Sequence, residues 1–569
     1  MRPVGIFALL LLARPAAAAS ALVYAQNPVR TPVASMLPLP AFAPTVRSCV
    51  DRGATVDVVL PGGAATVRTC AREAVAVADG SGDFTALPRA VPAPVRDDAD
   101  AFAESSARYH AGRLVDFLSA LDGAPALPAL EIFTGVRIAA GLLEGDLVRA
   151  AEPARDLVAF PQAFFLRAGE GDAYRAIYGV TGAALWLGQG TKVDLAYDGD
   201  VVAHETTHAV IASTLALGTY RVGSAGLSVE PAALNEALAD YFAAALTDDP
   251  VVGEFAATES AVAQARLRSL VNDTTCNALD GEPHDDSAVI AGALWKARLV
   301  DPAGVDRAVY AAVKGGAAPD LGFDGFAARL APLLPAAARA TFEAEVAARA
   351  IPCAPVLPLA PGAPVRAERR PFASPGTRAT GSTLAPGIVQ LRVELPATAI
   401  RMRIAFTGGA LVASPLVVAP ATPFRPVLLA GWDHPLRWSA GASDADVSVP
   451  VDGVASFGAE LTPPPWTRSV WLQIANAGEG DGRYDALTVD LASIEADPPD
   501  AGTPPPPGST PDAGAPGVTP AIDLVGGSGC NASGAPPASW LGLALLFLRR
   551  AGKSTKARDR RSDPPPSRD

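Results

Sequence analysis

Histidine is almost absent from this chain, which carries five in 569 residues. Imidazole this rare leaves little room for chance pairs, so two histidines at ligand spacing count as a signal. Basic residues are in deficit as well: 46 Lys and Arg stand against 59 Asp and Glu, for a formal net charge of -13 and a pI near 5.0. A non-specific nucleic-acid binder is thereby excluded, because that role needs a clustered basic face to neutralise phosphates. Cysteine is sparse too. Cys49, Cys70, Cys276, Cys353 and Cys530 can form two disulfides and leave one thiol over; nearest neighbours suggest Cys49 with Cys70 and Cys276 with Cys353, although spacing alone leaves the connectivity open.

The length is too great for one core and implies roughly three or four folded or flexible units. Arg2, the apolar stretch Val4–Ala13 and the small residues Ala16–Ser20 read as a signal peptide over 1–19, so the chain is expected to be secreted into a disulfide-permissive compartment. Residues 20–98 read as a small β-rich N-terminal module. Within it Thr55–Arg68, TVDVVLPGGAATVR, holds two alternating runs around Pro-Gly-Gly, the signal of a hairpin. From Ala99 the pattern turns helical, with Phe102, Tyr109, Leu114, Phe117, Leu118 and Leu121 at helix spacing; this helix is taken as the start of a catalytic domain over 99–355. Over 356–498 the period switches to two, as in Val389, Leu391, Val393, Leu395 and again in Val470, Leu472, Ile474, which predicts an antiparallel β-sandwich. The fold class expected is therefore a multidomain α+β chain, mixed catalytic domain first and all-β domain second.

A Pro/Gly-rich tract over 499–529 cannot bury a core and reads as an extended linker. Behind it Cys530, the apolar run Ala538–Leu548 and the cations Arg549, Arg550, Lys553, Lys556, Arg558, Arg560 and Arg561 form a tail over 530–569. Its apolar run is shorter than the ~20 residues of a stable membrane span. In order and composition the tail resembles the tripartite MYXO-CTERM sorting signals of myxobacteria, which implies processing at the cysteine and attachment to the outer cell surface.

The chemistry sits in two segments. Asp200-Val-Val-Ala-His204-Glu205-Thr-Thr-His208 lies on an apolar-periodic stretch, so His204 and His208 stand one helical turn apart and point the same way. Two neutral imidazoles so placed suit zinc, and Glu205 falls beside the open coordination position, where it can take a proton from bound water. Downstream, Asn235-Glu236-Ala-Leu-Ala-Asp240 is again helical. Glu236 can be the third ligand while Asp240, one turn on, accepts the second ring N–H of a liganding histidine and fixes its tautomer; Asn235 is grouped with Asp240 as an outer partner of the ligands.

Together DVVAHETTHAV and ALNEALADYF closely resemble the thermolysin-like branch of the gluzincin metallopeptidases. The resemblance implies a zincin fold over 99–355, zinc held by His204, His208 and Glu236, Glu205 as general base, and protein or peptide substrates. It also implies that Ala184-Leu-Trp186-Leu-Gly188 is the edge strand that pairs with an extended substrate, with Ala184 and Trp186 facing it. His284, in Glu282-Pro-His284-Asp-Asp, takes the place of the histidine that steadies the oxyanion, kept charged by Asp280 or Asp285. Asp200 matches a calcium-binding position of the family, so Ca²⁺ is a further expected ion. The family's tyrosine before the third-ligand motif is replaced by Ala225-Gly-Leu-Ser-Val229, so either Tyr220 reaches in or that help is absent. The module over 20–98 is shorter than the family's usual inhibitory propeptide.

Two rival readings stand beside a secreted or cell-surface zinc endopeptidase. One is a surface adhesion or structural protein whose zinc only stiffens the fold; Glu205 speaks against it, because a structural site has no use for an unliganded carboxylate beside the metal. The other is zinc hydrolysis of a bond other than a peptide.

Overall fold

The computed structural model describes residues 19–496 except 61–62, 90–98, 141, 143–156, 171, 220, 224–225, 261–264, 280–281, 354–355, 367–370, 373–384, 397, 408–425, 440–441, 451–455, 478–481 and 484–487. The expected signal peptide (apart from its last residue), the Pro/Gly-rich linker, the Cys530 tail, Tyr220 and Asp280 lie outside the described residues. Among the described residues no helix is long and apolar enough to cross a membrane.

A six-stranded sheet organises the first part of the chain. Its path runs Ala71–Glu73, Thr45–Val50, Leu130–Ala139, Ala183–Gly188, Ala163–Leu166, and Leu157–Ala159 pairs with Leu130–Ala139 to one side. Leu130–Ala139 is buried along almost its whole length, as befits a central strand with parallel partners. Thr45–Val50 is one of those partners, in the register Thr45↔Glu131 and Ser48↔Thr134. This corrects the boundary expected at residue 98: the N-terminal strands are hydrogen-bonded into the central sheet, so 20–98 is no separable module. Strands Thr55–Leu60 and Gly63–Arg68 form the antiparallel ladder that their alternation predicts, and Cys49 is bonded to Cys70.

A second correction concerns the sheet edge. Ala183–Gly188 has Leu130–Ala139 on one side and Ala163–Leu166 on the other. Ala184 and Trp186 are therefore internal, both fully buried, and Trp186 packs among Phe133, Phe164 and Tyr178. Among the described residues the outer strand on that side is Ala163–Leu166, whose apolar run AFFL gives no sign in sequence of an outer position.

The long helix Ala101–Asp122 packs on the sheet. Asp100 caps it by accepting from the backbone of Ala103, and Phe102, Tyr109, Leu114 and Leu118 face inward. Two further helices, Gly199–Ser213 (the histidine helix) and Glu230–Thr247 (the glutamate helix), pack on it and on each other. Around them Ala288–Arg298, Pro302–Val313, Phe323–Leu330 and Ala336–Ala348 share one core, in which Leu238, Tyr241, Phe242, Leu294, Tyr310 and Phe342 are buried. Each such side chain contributes roughly 1.5–3 kcal/mol on burial, so this core gives the two motif helices a rigid seat. The Cys276–Cys353 disulfide closes the region.

Between 356 and 496 the described residues form strands and no helix. A five-stranded sheet, with Ala385–Glu394, Ser469–Asn476 and Pro426–Trp432 at its centre, faces a four-stranded sheet built on Thr488–Ala496 and Ala399–Thr407. Side chains from both enter one cluster: Leu391, Val393, Leu428, Val470 and Leu472 from the first, Met402, Ile404, Val489 and Leu491 from the second.

Candidate metal centre

The histidine helix starts at Asp198, whose carboxylate accepts from the backbone of Asp200. Thr206 and Thr207 would be poor mid-helix residues if their hydroxyls were unpaired, but they donate back to Val202 O at 2.7 Å and Ala203 O at 2.9 Å. The helix can thus be buried all round, and His204, Glu205 and His208 are each under a tenth exposed. The glutamate helix opens with Pro231, which needs no N–H there, and ends at Asp248 in the left-handed conformation.

Where the two helices meet, His204, His208 and Glu236 each turn a ligand atom to a common point, all within 4.8 Å of one another. The imidazole Nε2 atoms of His204 and His208 are 3.0 Å apart; Glu236 lies 3.2 Å from the first and 3.6 Å from the second. The far side of each ring is fixed. Nδ1 of His204 donates to Asp240 Oδ1 at 2.8 Å and Nδ1 of His208 to Asn235 Oδ1 at 3.0 Å, which leaves both Nε2 atoms facing inward.

That arrangement calls for a cation. In the metal-free chain burial alone would depress His204, but hydrogen bonds and charge from Asp240 and Glu236 push it up to about 10. Burial wins at His208, which falls to about 4. Burial would raise Glu236, but His284, His208 and His204 hold it well below the carboxylate range, yet its buried Oε2 has no well-aligned hydrogen bond, only the imidazoles of His204 at 3.2 Å and His284 at 3.3 Å beside it. Paired inward imidazoles and a buried carboxylate oxygen without an aligned donor fit a resident divalent metal, and the donor set of two imidazoles and one carboxylate suits zinc.

Glu205 is buried and its Oε2 likewise has no donor. Burial raises its pKa to about 7, partly countered by the charge on His204, the range expected of a group that must take and return a proton. His284 stands in the one-turn helix Pro283–Asp286, its Nε2 3.3 Å from Glu236. Glu282 is a carboxylate partner, 2.8 Å from Nδ1, in place of Asp285, which gives its backbone N–H to Glu282 at 2.9 Å. Burial would lower His284, but Glu236 and Glu282 outweigh it and bring the group up to about 9.

Arg268 went unseen in sequence. Its guanidinium grips Asp240 with two bonds, 2.6 Å to Oδ2 and 2.8 Å to Oδ1, so the carboxylate that orients His204 is itself oriented. Nothing local marks Arg268, which sits in the two-residue strand Arg268–Ser269. Asp200, matched to a calcium position, accepts from the amide of Asn27 at 3.4 Å and the backbone of Gly253 at 3.3 Å. Among the described residues, the His204–His208–Glu236 group alone has the spacing to hold a metal.

No protein-family model matches the chain, and no curated protein matches it. Among solved structures it is similar to the precursor of protealysin, a metalloproteinase from Serratia proteamaculans, with a TM-score of 0.34 and 14% identity over 55% of this chain and 88% of that one. A likeness of that degree carries no functional inference.

Proposed function

We propose that this protein is a zinc-dependent peptidase centred on His204, His208 and Glu236. The observation that carries the reading is the meeting of three buried ligand atoms within 4.8 Å beside Glu205, whose buried Oε2 has no hydrogen-bond partner. A zinc ion held there supplies Lewis-acid activation of a water and of the scissile carbonyl.

The remaining roles belong to the chain. Glu205 accepts the proton of the attacking water at its carboxylate and passes it to the leaving amine, which its raised pKa suits. His284, kept charged by Glu282 and Glu236, donates from Nε2 to the oxygen on which negative charge develops. Asp240 and Asn235 hold the two imidazoles in the tautomer that presents Nε2, and Arg268 holds Asp240. Extended protein or peptide segments are the substrates, secretion follows from the N-terminal leader, and the Cys530 tail attaches the protein to the outer surface. The two sheets over 356–496 act as an appended β-sandwich.

The test is Glu205→Gln in the purified protein, measured by metal analysis and digestion of a peptide library. Zinc is expected to stay while hydrolysis falls by about 10²–10⁴-fold, the range for loss of a general base. Activity within a few-fold of the parent removes Glu205 from the mechanism.

A further inference from the structure

The turn of the histidine helix before His204 is built over buried carboxylates. Asp198 accepts from the backbone of Asp200 at 3.1 Å and of Ala256 at 2.9 Å; Asp200 and Glu254 lie beside it, and all three are buried. Burying three carboxylates in one place demands donors and positive charge. Asp198 is served by those two backbone groups; for Asp200 and Glu254 the donors, beyond the backbone N–H of Gly253, come from the N-terminal segment. Asn27, fully buried, gives its amide to Asp200 Oδ2 at 3.4 Å and to Glu254 Oε2 at 3.1 Å. The Arg30 guanidinium pairs with Glu254 at 3.0 Å and also with Asp249.

The segment is itself tightly wound. Asn27 Oδ1 accepts from the backbone of Val29 at 3.0 Å and of Arg30 at 2.9 Å, and the Thr31 hydroxyl accepts from the backbone of Gln26 at 3.0 Å. The carbonyl of Gln26 in turn accepts the N–H of Gly199, first residue of the histidine helix, at 2.9 Å. No side chain fits between them: a Cβ on Gly199 would lie 2.5 Å from that carbonyl oxygen. Asp200 stands one turn before His204, as His204 stands one turn before His208.

We propose that Gln26–Thr31 is a clasp on the metal-bearing helix, in which Asn27 and Arg30 are positioning residues. They supply the donors and the guanidinium that let Asp200 and Glu254 be buried together, and so fix the turn that carries His204. The clasp stands on the metal-free chain; its consequence for zinc rests on the reading of the site given above. The N-terminal segment is on this account part of the working protein and cannot be shed without loosening the site.

The experiment compares full-length parent, Asn27→Asp, Arg30→Gln and Arg30→Lys by hydrogen exchange of the metal-free protein and by zinc competition. Asn27→Asp keeps the shape, removes the amide donors and adds a like charge. Exchange over 199–204 is expected to quicken, and zinc affinity to fall, by about tenfold or more in Asn27→Asp and Arg30→Gln, the effect of a buried acceptor left unpaired. Exchange in the remote helix Ala336–Ala348 should stay as in the parent, and Arg30→Lys should restore most of the zinc affinity. Unchanged exchange over 199–204 overturns the clasp, and so does a uniform rise that includes Ala336–Ala348, which marks general destabilisation. Should Asn27→Asp fail to fold, Arg30→Gln carries the same comparison with the Asn27 bonds intact. A chain that takes up no zinc yet shows the exchange pattern keeps the clasp and refutes the peptidase reading alone.

Discussion

The two motif helices and the two C-terminal sheets solve burial in opposite ways. At the helices, His204, Glu205, His208, Glu236 and Asp240 are all buried, and four ionisable groups stand in a row from Glu236 through His204 and Asp240 to Arg268. Among the described residues of the sheets the fully buried polar side chains are uncharged, and the one covered carboxylate oxygen is that of half-buried Asp490. Gln390 exchanges two hydrogen bonds with the backbone of Leu436, and Gln473 accepts from the Trp438 indole at 2.7 Å. Charges stay outside, as where Arg401 and Arg403 meet Glu460 on a half-exposed face. Buried charge is expensive unless fully paired; the helical part of the chain carries it at several places, as where Arg298 meets Asp306, and at the helix crossing it gathers around the candidate metal ligands.

The largest effect expected from this contrast is at the ligands. His208→Ala should abolish stoichiometric zinc while far-ultraviolet circular dichroism stays as in the parent, because the surrounding core does not depend on one imidazole. Retained stoichiometric zinc would place the metal elsewhere. Asp240→Asn should lower zinc affinity by about 10–100-fold, since it weakens the partner that orients His204; competition with a chromophoric chelator reads the change, and parental affinity would make the Asp240 contact incidental.

A smaller effect is set by pH. His284 is raised from 6.5 to about 9 in the folded chain, so its charged form is the one the fold favours. Its contribution to stability is complete below 6.5 and fades as pH rises through about 9. Peptide hydrolysis should decline on the alkaline side as His284 loses its proton, and His284→Gln should lower the rate and flatten that limb. A limb unchanged in the variant would assign it to another group. The smallest effect lies in the sheets: Glu460→Ala should shift stability by no more than about 1 kcal/mol, as for an exposed ion pair, and leave zinc untouched. A marked loss of zinc on that change would erase the contrast between the two regions.

What sequence revealed of the site is what one helix turn can carry. His204 with His208 and Glu236 with Asp240 are spaced by local geometry, so their faces could be read before any fold was known. The residues that went unread are joined only by tertiary structure. Arg268 reaches Asp240 across 28 positions, and Asn27 reaches Asp200 across 173. Glu282 is not legible as a partner of His284 because a capping residue two positions before it shows its role only when the short helix forms. The sheet edge was misassigned for a related reason. Strand alternation marks faces but not neighbours, so nothing in Ala184-Leu-Trp186 announces that Ala163–Leu166 lies beside it.

The central claim is that one zinc sits between the two helices. Anomalous scattering collected on either side of the zinc absorption edge, from crystals of protein purified without chelators, tests it most directly. The expected result is a single peak among His204 Nε2, His208 Nε2 and the Glu236 carboxylate; absence of a peak there, after zinc has been supplied, would contradict the account.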